Sequence, residues 1–142
     1  MIRHPKFYLF DAGVYRTIRP EGPLDHPELI DGHAFETLFF QELRALNDYL
    51  STGYQLYYWR KPTGSEVDFV LYGEKGILAF EVKREGKLRH DSLSGIKAFI
   101  KDYPEAKTYL VYLGDRVLRE GQTSILPLKR CLADMPQILS NR

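Results

Sequence analysis

The sequence predicts an α/β protein, with helices packed around a mixed central sheet of four or five strands. Three observations carry this. Residues 33–49 place apolar side chains at helical spacing, and three β-rich runs separated by short turns follow. A strand, a helix and another strand then succeed one another between Leu78 and Leu113, which implies a right-handed crossover and a parallel strand pair. Third, 142 residues with 44% hydrophobic and 27% charged content fit one ordinary globular domain, 1–142.

Taken in order, Phe7-Tyr8-Leu9-Phe10 reads as a short buried strand closed by Asp11-Ala12-Gly13. Pro20, Gly22, Pro23 and Pro27 make Arg19 to Gly32 a loop. The strongest helix runs from His33 to Tyr49, where Phe35, Leu38, Phe39, Leu43 and Leu46 keep an i, i+3/i+4 rhythm. Asp31 or Gly32 would cap it. Glu36 would then occupy the first turn, where a negative charge complements the helix dipole, and could point along the inner edge towards the sheet.

Tyr54–Trp59, Ser65–Leu71 and Leu78–Lys83 form a three-stranded meander, turned at Arg60–Gly64 and Tyr72–Gly76. Asp91 can cap a second helix with Leu93, Ile96, Ile100 and Tyr103 as its buried stripe, stopped by Pro104. Lys107–Leu113 is the next strand. Ser124–Leu128 gives a short extended piece, and Lys129–Met135 a short terminal helix.

Composition excludes several classes of function. A net charge of +1 rules out a strongly basic polyanion binder, so nucleic acid would have to be met by a local patch. Lys83, Arg84, Lys87, Arg89 and His90 form the best one, and Arg60 with Lys61 a smaller one. A single cysteine, Cys131, excludes an internal disulfide and a cysteine-rich zinc site, and points to a reducing cytoplasm. The four histidines, at 4, 26, 33 and 90, show no metal-binding spacing. Neither a signal segment nor a bilayer-spanning stretch is visible, so no membrane is expected. Ten Tyr, eight Phe and one Trp fill a core and its rim, with stacking on nucleic-acid bases as the alternative.

The second and third strands of the meander carry charges in otherwise apolar runs. Residues i and i+2 of a strand share a face, which pairs Glu66 with Asp68 and Glu81 with Lys83. On the plainer reading these are the wet face of an antiparallel sheet, with Val67, Phe69 and Leu71 turned to the core. The sharper reading notes that a strand entering a parallel crossover is normally buried on both faces. Charge there costs several kcal/mol unless compensated (roughly 3–5 for a broken pair). Asp68, Glu81 and the Val82 carbonyl suit Mg2+ or Mn2+, which prefers hard oxygen ligands. Lys83 could orient or deprotonate water and neutralise phosphoryl charge, and Glu36 could hold that water or a second ion.

The order Glu36, Glu66-Val67-Asp68 and Glu81-Val82-Lys83 resembles the signature of the PD-(D/E)XK nuclease superfamily. Val67 stands where that pattern carries proline. The resemblance implies a restriction-endonuclease-like sheet and metal-dependent cleavage of nucleic-acid phosphodiesters, DNA foremost, with Asp68, Glu81, Lys83 and Glu36 as catalytic residues. A wider set is similar to the uncharacterised C-terminal domain of archaeal and bacterial AAA-type ATPases. It comprises Tyr8–Gly13, Phe35-Glu36, Glu42-Leu43, Tyr58-Trp59-Arg60, Gly64–Val70, Glu81-Val82-Lys83 and Val111–Gly114. No G-x-x-x-x-G-K-[S/T] is present, so this chain should not hydrolyse ATP. It is expected to be a C-terminal piece or a stand-alone relative, with a P-loop ATPase as possible partner. The alternative to a nuclease is an inactive docking module with the same fold.

Overall fold

The computed structural model describes residues 27–140, with side chains from residue 32 onward. The expected strand Phe7–Phe10, its turn Asp11–Gly13 and most of the Arg19–Gly32 loop lie outside the described residues. Nine elements follow in the order α1 (Pro27–Tyr49), β1 (Gln55–Arg60), β2 (Glu66–Gly73), β3 (Gly76–Lys83), α2 (Ser94–Asp102), β4 (Lys107–Tyr112), β5 (Leu118–Glu120), β6 (Thr123–Pro127) and α3 (Leu128–Ser140).

The fold is α/β, with one mixed sheet of six strands in the order β1-β2-β3-β4-β6-β5. β1, β2 and β3 form the antiparallel meander, while β3–β4 and β4–β6 pair parallel. β5 folds back on β6 as an antiparallel edge. It is the strand beyond the expected four or five. Its three residues are all exposed, so no apolar rhythm marks it.

Hairpin turns come from glycine. Gly64 and Gly76 take φ of 97° and 115°, conformations that side chains with a Cβ rarely adopt.

Two apolar cores form, one on each sheet face. Phe39 and Leu43 of α1 and Cys131, Met135 and Leu139 of α3 close over Phe69, Leu71, Leu78, Phe80 and Val111. On the other face Ile96 and Phe99 of α2 cover Val67, Val70, Ala79 and Leu110. At the end of α1, Asn47 fixes the approach to β1. Its amide donates to the Tyr54 carbonyl at 2.9 Å, and its oxygen accepts from the Tyr54 N–H at 3.1 Å and the Thr52 hydroxyl at 2.7 Å.

Three boundaries differ from expectation. α1 begins at Pro27, not His33, so Asp31 and Gly32 are helical and neither is a cap. Proline is tolerated in the first turn, where its missing N–H would have no intrahelical partner anyway. Glu36 consequently sits about two and a half turns into the helix, and the first-turn dipole argument does not apply to it.

In α2, Asp91 supplies only its backbone carbonyl, to Ser94 N–H at 3.0 Å, and the residue at the cap is Leu93 without a side-chain bond. Phe99 is fully buried whereas Tyr103 is 39% exposed, so the stripe is Leu93, Ile96 and Phe99 with Ile100 packed partly buried against it, and Tyr103 falls outside it. α3 continues through Pro136 to Ser140, because Cys131, Met135 and Leu139 keep one face buried across it. No helix among the described residues is long and apolar enough to cross a membrane.

Candidate active site

The site begins with an irregularity in β2. Tyr57 pairs with Val70 and Trp59 with Val67, so Tyr58 alone faces the two residues Asp68 and Phe69. Such a bulge bends its strand and re-aims side chains. Here Val67 joins the α2-side core while Phe69 and Leu71 join the opposite one. The plainer reading, with all three on one core face, is therefore corrected. Glu66 and Asp68 also part company. Glu66 is half-buried and accepts the Tyr58 hydroxyl at 2.7 Å. Asp68 is only 4% exposed.

Backbone pairing of β2 with β3 extends as far as Phe69–Phe80. Past that point the Val82 N–H donates to the Asp68 carboxylate, Val82 N to Asp68 Oδ2 being 2.8 Å. On β3, Glu81 and Lys83 oppose Leu110 and Tyr112 of β4. Glu81 is 6% exposed and its Oε1 lies 2.8 Å from Lys83 Nζ. Its other oxygen, Oε2, is buried with no hydrogen-bond partner. A buried unpaired carboxylate oxygen costs free energy that a ligand can recover.

The electrostatics follow from this packing. Burial, then the neighbouring Asp68 charge, push the Glu81 carboxyl up to about 8, with Lys83 and the Asp68 backbone opposing. Burial works against the Lys83 ammonium, but Glu81, Asp68 and Glu85 outweigh it and hold the group above its ordinary value. The result is a Glu81 carboxyl held high by its burial and by Asp68, beside a lysine whose ammonium form these carboxylates favour.

Glu36 reaches the neighbourhood from α1. With His33 it borders a cleft of about 230 Å3 whose other wall is the end of β3, Val82 and Lys83, and the two residues after it, Arg84 and Glu85. Among the described residues no three His, Cys, Asp or Glu side chains gather at one point. Asp68 and Glu81 are thus a pair, with Glu36 across the adjoining cleft rather than a third member. The chemistry of the Glu81 Oε2 atom and the Asp68 carboxylate, two hard oxygen donors, fits a divalent cation that keeps several waters.

Of the basic residues, Arg84, Lys87 and Arg89 are exposed on the segment joining β3 to α2, immediately beyond Lys83. Arg60 is paired across β1–β2 with Glu66, at the same end of the sheet as Asp68. Lys61 is engaged elsewhere, 3.0 Å from Asp102. Tyr58 and His33 escape sequence inspection. The Tyr58 hydroxyl owes its place to the β1–β2 register shift, which neither strand's residues announce, and His33 has no ligand spacing.

Residues 31–131 match the model of the family described as Domain of unknown function (DUF4143), and the chain belongs to that family. This membership is consistent with the resemblance to the C-terminal domain of AAA-type ATPases. Comparison with curated proteins and with solved structures gave no match.

Proposed function

We propose that this chain is a PD-(D/E)XK-type, metal-dependent nuclease domain acting on nucleic-acid phosphodiesters. The observation that carries the reading is the buried Asp68–Glu81 pair with Lys83 at 2.8 Å and one carboxylate oxygen left without a partner. Asp68, Glu81 and the Val82 carbonyl would hold Mg2+ or Mn2+, which when bound supplies Lewis-acid activation of the phosphoryl group and of water.

The chain's own residues supply the rest. Lys83 offers a fixed positive charge to the phosphoryl oxygens, in a setting where solvent does not fully screen it. Glu36, across the cleft, can accept a proton from or orient an attacking water. Arg60, Arg84, Lys87 and Arg89 can track the phosphate backbone on either side.

Incubation with supercoiled, linear and single-stranded DNA and with RNA, in Mg2+ or Mn2+, tests this. Cleavage by wild type and its loss in Glu81→Ala and Lys83→Ala are expected. Equal cutting by the variants would remove catalysis from this site.

A second reading, a docking module beside a P-loop ATPase, is favoured by a solvent-open aromatic cleft on the α2 face. Calorimetric titration with Mg2+ separates the two. Binding abolished by Asp68→Ala supports the metal site, and no binding to wild type supports docking.

A further inference from the structure

A larger concavity, of about 490 Å3, lies on the α2 face and reaches towards the β2–β3 turn; neither Asp68 nor Glu81 lines it. Tyr57, Tyr58 and Trp59 of β1, Tyr72 of β2 and Tyr103 after α2 make up most of its wall. Tyr57 is 50% exposed, Tyr72 57% and Tyr103 39%. Exposed apolar surface concentrated in one place marks an interaction site.

The rings are held in position. Trp59 meets Phe99 edge-on at 5.3 Å and 88°, and Phe99 lies 4.8 Å from Tyr103. The Tyr57 hydroxyl donates to Gln55 at 2.6 Å and the Tyr58 hydroxyl to Glu66 at 2.7 Å. Little side-chain ordering remains for a ligand to impose.

Charge then selects the occupant. Among the described residues the cleft has a single charged wall residue, Glu105, which is exposed and takes part in no ion pair. The nearby Lys61 is neutralised by Asp102, and its ammonium already stands 5.6 Å from the Trp59 ring centre. Aromatic faces attract cations in this manner. A phosphate backbone would meet Glu105 with no countercharge on the wall. At its outer edge β1 has no strand partner among the described residues, so an extended segment could pair there.

We propose that this cleft docks a basic segment of a partner protein, with an arginine or lysine chain laid across the tyrosine rings and its charged head on Glu105. The assignment is independent of any activity at Asp68 and Glu81.

Trp59 is the only tryptophan in the chain, so its fluorescence reports on the cleft directly. The full chain is titrated with a capped hexa-arginine peptide, with hexaglutamate and decathymidine as comparisons. A saturable change with hexa-arginine alone is expected. Glu105→Gln and Tyr72→Ala, both at exposed positions and checked for folding by circular dichroism, should each weaken it by about three- to tenfold. Unchanged affinity in both variants overturns the proposal. So does tighter binding of decathymidine, which would make the cleft a base-stacking surface.

Discussion

The backbone N–H of Val82 donates to the carboxylate of Asp68 at 2.8 Å, so a side chain of β2 completes the backbone of β3 where their ladder ends. Removing that acceptor leaves a buried donor unsatisfied. Asp68→Ala should therefore destabilise the chain by about 1–3 kcal/mol. Asp68→Asn keeps an oxygen for the bond and should retain most of the stability while losing the charge. Urea midpoints check this, and a midpoint unchanged in Asp68→Ala would show the bond to be dispensable.

Divalent cation should stabilise the fold through the same pair. Whatever binds only the folded state adds about 2.7 kcal/mol at a hundredfold excess over Kd. The melting temperature of wild type should accordingly rise with Mg2+ and fall back with EDTA. Asp68→Asn and Glu81→Gln should lose the response. A wild type indifferent to Mg2+ and to Mn2+ would argue against a metal centre there.

Lys83 is the test of chemistry as opposed to folding. Its side chain is 35% exposed, so Lys83→Met should fold. Loss of a charge aimed at the reacting group lowers rates by about 10²–10³-fold. Plasmid nicking by Lys83→Met should fall by that order while its circular dichroism stays that of wild type. Undiminished nicking would place the reaction elsewhere.

Gly95 is a packing requirement of α2. A Cβ there would run into the backbone carbonyl of Glu66, which has no flexible end to move aside. Gly95→Ala should cost about 1–3 kcal/mol, as overpacking does. The strained strand end is the one leading to Asp68, so the variant should bind metal less well. Thermal melts with and without Mg2+ read both effects.

Cys131 gives a pH dependence with a definite sign. Burial, with Asp134 adding to it, pushes its thiol up to about 12 from an ordinary value of 9.0. Between these values the folded chain holds a proton that the unfolded chain has released. Stability is therefore fully present below pH 9 and lost as pH rises towards 12. Urea unfolding across that range should show the decline, and a thiol reagent at neutral pH should label Cys131 only after unfolding. Prompt labelling of the native chain would contradict its burial.

Much of this architecture is legible in the residues. The meander announces itself through β-rich runs separated by Gly64 and by Gly73 and Gly76, and the β3–α2–β4 crossover follows from strand, helix, strand order. What escaped has physical causes. Pro27 looks like a breaker but is acceptable to a first helical turn, and Gly32 is carried inside α1 by the packing of Phe39 and Leu43. Pro136 is likewise carried by Met135 and Leu139.

The closeness of Glu81 and Lys83 could be read from their i, i+2 spacing on one strand. The partner of Asp68 could not. Strict alternation couples it to Glu66, and only the bulge opposite Tyr58 sends it to Val82 instead. A register shift is a property of two strands together, and neither strand's sequence states it.

Because the Asp68 side chain, and not a continued ladder, receives the Val82 N–H at this end, that amide is held less cooperatively than the amides behind it. Amide exchange at Val82 should then run ahead of exchange at Phe80, which sits within the paired region.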